Sequence, residues 1–145
     1  MKNDYFQVVR GGLNSTFQDL GRENLYHIGL PFSGAMDKRN FQLLNSILQN
    51  DDNSPVIEFA YQGPHLKYFG KNIFFCISGN ALFKIITKEG AIDGNCYQSY
   101  LLKNGDEVDI YSTNKSVYGY FSINGTFAVD YYWESCSINT KAQIG

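Results

Sequence analysis

Positive charge is scarce in this sequence: 12 Lys and Arg stand against 14 Asp and Glu, for a formal net charge of −2 over 145 residues. With no positive field to hold a phosphate backbone or an anionic membrane surface, nucleic acid and membrane are ruled out as expected partners. Cysteine is scarce too. Cys76, Cys96 and Cys136 are odd in number and widely spaced, which fits neither a disulfide framework nor a CxxC pair, and predicts a reducing, cytoplasmic setting. Long apolar runs are missing: the longest, "IFFCI" at 73–77, is too short to span a bilayer, and "MKNDYFQVV" carries no apolar leader core, so a soluble, non-exported protein is expected. Two catalytic signatures are absent as well. Phe32 precedes Ser33-Gly34 where a nucleophile elbow needs Gly-x, and no P-loop lysine pattern is present to hold a nucleotide. His27 and His65 lack the spacing, or the nearby cysteines, of a metal site, so no metal is expected and a surface or hydrogen-bonded role is assigned to both.

Aromatic residues are plentiful. They make up 16% of the chain, with 11 Tyr and 11 Phe, and they favour the half-buried pleated surface of a sheet. The length suits one domain, 1–145, and the first expectation is an all-β fold. "YFQVVR" (5–10) reads as the opening strand. Later runs rich in Val, Ile, Phe, Tyr and Thr follow in series: "VIEFAY", "HLKYF", "NIFFCIS", "ALFKIIT", "YQSYLL", "EVDIYS", "VYGYFSI" and "TFAVDYYW". Gly70, Gly79-Asn80, Glu89-Gly90, Asn104-Gly105 and Asn124-Gly125 separate them as turn signals, with Asn-Gly the strongest hairpin mark. This spacing predicts a closed barrel or a sandwich. One helix interrupts the pattern: "MDKRNFQLLNSILQ" (36–49) repeats its apolar residues every three to four positions, Asp37 suits its positive end, and "NDDNSP" stops it.

The most polar and least regular segment comes early. "STFQDLGRENLYHIGLPFSGAMD", Ser15 to Asp37, sets Gln18, Asp19, Arg22, His27 and Ser33 among glycines and a proline, and loops of this kind are where a rigid scaffold mounts its chemistry. Arg22 offers a planar fork for a carboxylate, and Gln18 has a donor and an acceptor for an amide edge. Asp37 has the chemistry of a general base, and Gly34 and Ala35 would let a ligand approach the backbone where the helix begins. Plainer structural roles compete: Arg22 pairing with Asp19 to pin the loop, and Asp37 as a helix-start residue. Glu58, flanked by Ile57 and Phe59 in a strand, faces away from them and is expected to be solvated or paired. Cys76, inside an apolar strand, is expected to be inert core.

Taken in order, "GGLNSTFQDLGR", "GLPFSGAMD", "LLNSILQN", "VIEFAYQGP" and "KNGDEVDI" resemble the allophanate hydrolase subunit 2 family, which includes the C subunits of 5-oxoprolinases and the biotin-dependent carboxyltransferases. The matched positions are Gln18, Asp19, Gly21 and Arg22; Gly34, Ala35 and Asp37; Asn45 and Asn50; the pair Ile57-Glu58; and Gly63-Pro64. The chain departs from the pattern at Asn124-Gly125, where the family has Gly-Gly, and at "ESCSI", where it has Gly-Ser-x-Ser-Thr. The resemblance implies a cyclophilin-like β-barrel with one α-helix, equivalent to the N-terminal half of a domain whose two halves enclose the active cleft. It also implies ATP-dependent opening of 5-oxoproline to glutamate, or carboxyl transfer from carboxybiotin to a urea-like acceptor. Partner subunits, or a chain supplying the second half, would complete the site. On this reading Gln18, Arg22, Gly34 and Ala35 bind substrate and Asp37 is catalytic. ATP or carboxybiotin belongs to the complex, with no cofactor bound by this half. The alternatives are a regulatory protein that antagonises a kinase inhibitor and an inactive truncated relic.

Overall fold

The computed structural model describes residues 3–22, 33–131 and 135–137. Its elements run β1 (Tyr5–Arg10), β2 (Thr16–Gln18), α1 (Lys38–Ile47), β3 (Val56–Ala60), β4 (His65–Phe69) and β5 (Ile73–Gly79). They continue with β6 (Ala81–Thr87), β7 (Gly90–Asp93), β8 (Tyr100–Leu102), β9 (Glu107–Thr113) and β10 (Tyr118–Ile123). The strands assort into two five-stranded sheets, ordered β1-β4-β9-β6-β7 and β2-β3-β10-β5-β8. Every pairing is antiparallel. Among the described residues the fold is therefore all-β with one helix, as the aromatic content and the apolar spacing predict. Among the described residues its two ladders form separate layers rather than one continuous ring of hydrogen bonds, an arrangement compatible with the cyclophilin-like fold. No described helix is long and apolar enough to cross a membrane.

The two sheets bury different amounts of themselves, and the sequence shows why. In the first sheet β4 and β6 alternate strictly, with Leu66, Tyr68, Phe83 and Ile85 turned inward and polar or exposed neighbours outward, so one face meets the core and the other meets water. In the second, β3, β5 and β10 are buried almost throughout because both faces are covered. Phe59, Phe75, Ile77 and Phe121 point into the space between the sheets, where Phe75 stacks on Phe121 at 5.7 Å and meets Phe83 of the opposite sheet edge-on at 6.1 Å. The alternate residues Val56, Cys76 and Tyr120 point to the outer face, where Phe41, Leu44 and Leu48 on one side of the helix seal them in. Cys76 is core, and burial pushes its thiol up to about 11.

The turns hold a correction. Asn104-Gly105 carries the strongest kind of hairpin signal, but β8 pairs with β5 and β9 with β4, so this turn carries the chain from one sheet to the other. The turns at Gly70 and at Gly79-Asn80 also change sheets, and Glu89-Gly90 alone among these signals closes a hairpin, between β6 and β7. Positive φ reverses the chain but does not choose its next partner. A second correction concerns "TFAVDYYW": residues 126–131 form no strand, and Tyr132 and Trp133 lie outside the described residues. Phe127 packs its ring against Phe17 at 5.3 Å and Phe6 at 6.4 Å, so its apolar character serves a ring cluster between the first strands of the two sheets. The short β2 and the exposed β7 carry too little pattern to be read from sequence and depend on pairing with β3 and β6.

Asn50 locks the helix end to the sheet. Its Nδ2 donates to the Ile123 carbonyl at 2.8 Å and its Oδ1 accepts from the Gly125 N–H at 2.9 Å. Replacing Asn50 with Ala strands one donor and one acceptor of the main chain, so a loss of about 1–2 kcal/mol is expected, read as a lower urea midpoint at unchanged slope.

Candidate functional site

β2 delivers Gln18 to the edge of the second sheet, and the chain then turns through Asp19 to Arg22. The Asp19 carboxylate is fully buried. Its Oδ1 accepts from the Gly21 N–H at 2.8 Å and from the hydroxyls of Ser135 at 2.5 Å and Ser137 at 2.7 Å, while Oδ2 accepts from the Cys136 N–H at 2.9 Å. Burial alone would raise its pKa; the four hydrogen bonds outweigh that and hold it below the usual carboxylate value. Arg22, also buried, donates to Ser33 Oγ at 2.9 Å and to the carbonyls of Ser137 at 2.6 Å and Ser135 at 3.0 Å. Acid and base of one short turn thus grip the same short segment, Asp19 all three of its residues and Arg22 the outer two, 113 to 118 positions further along the chain. Cys136, held between them, has its thiol pushed up to about 12, first by burial and then by the Asp19 charge.

The second arm of the loop lies directly on the first. Gly21 and Gly34 adopt φ of +91° and +127°, and a Cβ on Gly34 would stand 2.7 Å from the backbone of Leu20. The Ala35 N–H donates to the Asp19 carbonyl at 2.9 Å, and the Ala35 side chain sits in the core under the helix. The space freed at Gly34 is therefore filled by the protein's own main chain.

Asp37 occupies a different setting, half-buried at the N-cap of α1. Its Oδ1 accepts from the Asn40 N–H at 3.1 Å and its Oδ2 from Asn40 Nδ2 at 2.6 Å, so the helix start already holds a carboxylate of the chain itself. Asn40 Oδ1 in turn accepts from the hydroxyl of Tyr97, a residue 46% exposed, and the polar surface here is Asp37, Asn40 and Tyr97. Beneath it lies Glu58, 6% exposed, whose Oε2 accepts from the Tyr120 hydroxyl at 2.7 Å and the Met36 N–H at 2.8 Å. The Tyr120 oxygen accepts from the Asp37 N–H at 2.8 Å. Burial raises the pKa of Glu58 and the Asp37 charge adds to this, while its two hydrogen bonds act in the other direction. Tyr120 is raised as well, by burial and then by its bond to Glu58.

The five expected site residues therefore fall into two groups. Gln18, whose Nε2 donates to Thr16 Oγ1 at 2.9 Å, lies with Arg22, Gly34 and Ala35 in and around the buried double loop. Asp37 alone presents a carboxylate toward the surface. Both of the plainer structural roles hold in part: Asp37 is the helix cap, and Arg22 and Asp19 do pin the loop, through a joint hold on 135–137. Glu58 is paired but not solvated, because the outward face of β3 lies under the helix entry. His27 lies outside the described residues; His65 is paired with Glu107 of β9 at 2.9 Å. Among the described residues no group of three His, Cys, Asp or Glu is placed to hold a metal. Asn40, Tyr97 and Tyr120 do not stand out in the sequence. The Asp-x-x-Asn spacing could have flagged Asn40, whereas Tyr97 and Tyr120 reach the site only through the tertiary fold.

A two-layer β-domain with a helix sealing one sheet, and a glycine-joined double loop at the helix entry, is what the comparisons with known proteins match. The model of the family "carboxyltransferase domain, subdomain A and B" matches residues 28–145, and the chain belongs to this family. It is 32% identical over 131 residues to the C subunit of the 5-oxoprolinase of Haemophilus influenzae, spanning 90% of this chain and 41% of that protein. It is 28% identical over 140 residues to the urea amidolyase of Saccharomyces cerevisiae, 96% of this chain and 7% of that one. The crystal structure of the K. lactis urea amidolyase superposes with a TM-score of 0.83 at 28% identity, covering 91% of this chain and 8% of that chain. The chain thus spans less than half the length of each of these relatives.

Proposed function

We propose that this chain is the first half of a carboxyltransferase-type domain and works, with a chain or segment supplying the second half and with further subunits, in the ATP-dependent opening of 5-oxoproline to glutamate. The observation that carries the reading is the packing of the Gln18–Arg22 turn on Gly34 and Ala35, backbone against backbone, just ahead of the Asp37 cap, in a chain 32% identical to a 5-oxoprolinase component. 5-Oxoproline is preferred to urea because the 5-oxoprolinase component is matched at 32% identity against 28% for the urea amidolyase.

The parts divide the work by exposure. Asp37 is the group left to meet the reactant: its half-buried carboxylate would take a proton from, or orient, the nucleophile that attacks the lactam. Arg22, with its guanidinium on Ser33, Ser135 and Ser137, sets the loop; it would contact substrate only with the 135–137 segment displaced. ATP binding would fall to the partner subunits or the second half, since no P-loop lysine pattern occurs in this sequence. Coexpression of the chain with its second half and companion subunits should give glutamate formation that needs both ATP and 5-oxoproline. Asp37→Asn keeps a good helix cap and should lower kcat by about 10²–10⁴-fold with the fold intact by circular dichroism. Full activity of Asp37→Asn, or turnover of urea in place of 5-oxoproline, would end the proposal.

A further inference from the structure

We propose that Glu58 and Tyr120 are positioning residues for Asp37: a buried carboxylate–phenol couple on the sheet that fixes the main chain on which that carboxylate rides. The inference rests on the reading of Asp37 as the group that meets the reactant, and it concerns two side chains to which that reading gives no part.

Tyr120 and Glu58 are register partners on β10 and β3, so the ladder brings their side chains out on the same face, under the helix. There they hold two consecutive peptide N–H groups. Glu58 Oε2 takes that of Met36, and the Tyr120 oxygen takes that of Asp37 while its own proton goes to Glu58. The N–H groups at a helix start have no partner within the helix and must find one outside it. Here they are tied to a strand pair buried on both faces, through groups that are themselves 6% and 0% exposed. Asp37 is thus held at both ends: its N–H on Tyr120, its carboxylate oxygens on Asn40. The third member of the chain of bonds, Asn40, is fixed on its other side by Ser78 of β5, whose hydroxyl donates to the Asn40 carbonyl at 2.9 Å.

Stability alone does not account for the couple. A carboxylate in this position carries a desolvation cost of several kcal/mol, and an apolar side chain of like volume packs an outer sheet face as well or better. What an apolar pair cannot do is accept two adjacent N–H groups and so set the direction in which the cap residue leaves the sheet. Position, not burial, is what Glu58 and Tyr120 supply.

Four substitutions in the full chain, Tyr120→Phe, Glu58→Gln, Glu58→Ala and Leu48→Ala, each assembled into the active complex, separate positioning from simple support. Tyr120→Phe removes the acceptor for the Asp37 N–H; Glu58→Gln keeps an acceptor oxygen and the side-chain size; Leu48→Ala loosens the same helix from the same sheet at a distance from the couple. Tyr120→Phe should lower kcat by at least about ten-fold with KM within about two-fold, the mark of an interaction that matters in the transition state. In the isolated chain it should move the Asp37 amide resonance and the Asp37 carboxyl carbon shift. Glu58→Gln should recover much of the lost kcat relative to Glu58→Ala, and Leu48→Ala should lower Tm without lowering kcat. Unchanged Asp37 resonances in Tyr120→Phe overturn the inference even where Asp37→Asn abolishes turnover. A kcat that falls with Tm in Leu48→Ala as steeply as in Tyr120→Phe overturns it as well. Should Asp37→Asn prove fully active, the reading of Asp37 fails, and the resonance shifts still decide whether the couple fixes its main chain.

Discussion

Gly21→Ala is expected to break the double loop outright. A Cβ at this position would stand 1.4 Å from the Ser33 carbonyl oxygen, inside any contact distance, and the residue holds φ of +91°, where an L side chain is strained even in open space. The obstacle is main chain, with no flexible tip to swing aside, so one arm of the loop must leave the other. With it go the Ala35–Asp19 backbone bond and the seat of Arg22 on Ser33. A loss of at least ~4 kcal/mol follows from the combined overlap and broken bonds, equivalent to a fall in Tm on the order of 8–16 °C for a domain of this length. Gly105→Ala is the matched control: φ is +90° and nothing lies within 4 Å of the added carbon, so only the conformational term of roughly 1–2 kcal/mol applies. Equal Tm values for the two variants would show that the close approach of the loop arms does not exist in solution.

How far such features can be read from sequence depends on whether their cause is local. The strand from Tyr5 to Arg10 and the strand from Ala81 to Thr87 are legible to the residue, because an apolar run or an alternation between turn formers is itself the cause of the element. The helix is legible for the same reason, shorter at both ends than its apolar period suggests because Asp37 turns from helical member to cap. Sheet membership is not legible: Asn104-Gly105 and Gly79-Asn80 contain the reversal but nothing about the partner, which is chosen by packing across the core. Glu58 shows the same limit at the candidate site. Alternation correctly sets its side chain opposite to Ile57 and Phe59, yet whether the opposite face is wet depends on where the helix lands. The acids and amide of the early loop stand out in sequence as a cluster, but that Asp19 and Arg22 close on Ser135 to Ser137 is hidden by more than a hundred intervening positions.

Asp19→Asn tests that closure and carries the second large effect. The two carboxylate oxygens face backbone N–H groups from different parts of the chain, Gly21 on Oδ1 and Cys136 on Oδ2, with two serine hydroxyls added to Oδ1. An amide of the same shape has one oxygen, so its NH2 must point at a main-chain donor that cannot turn away. The Arg22 guanidinium nearby also loses its neutralising charge. A loss of about 3–5 kcal/mol at neutral pH is expected, the usual consequence of removing one member of a buried charged network. The pH dependence has a definite sign. The native carboxyl is held below its ordinary value of 3.8, so the folded state binds fewer protons than the unfolded chain. Its contribution is complete above that value and is withdrawn as pH falls through the native pKa. Urea midpoints at pH 6 and at successive points below pH 4 should therefore show the gap between the native protein and Asp19→Asn narrowing with acid. A gap that stays constant, or widens, would mean that Asp19 is not ionised within this network and that the loop is held to residues 135–137 by something other than its charge.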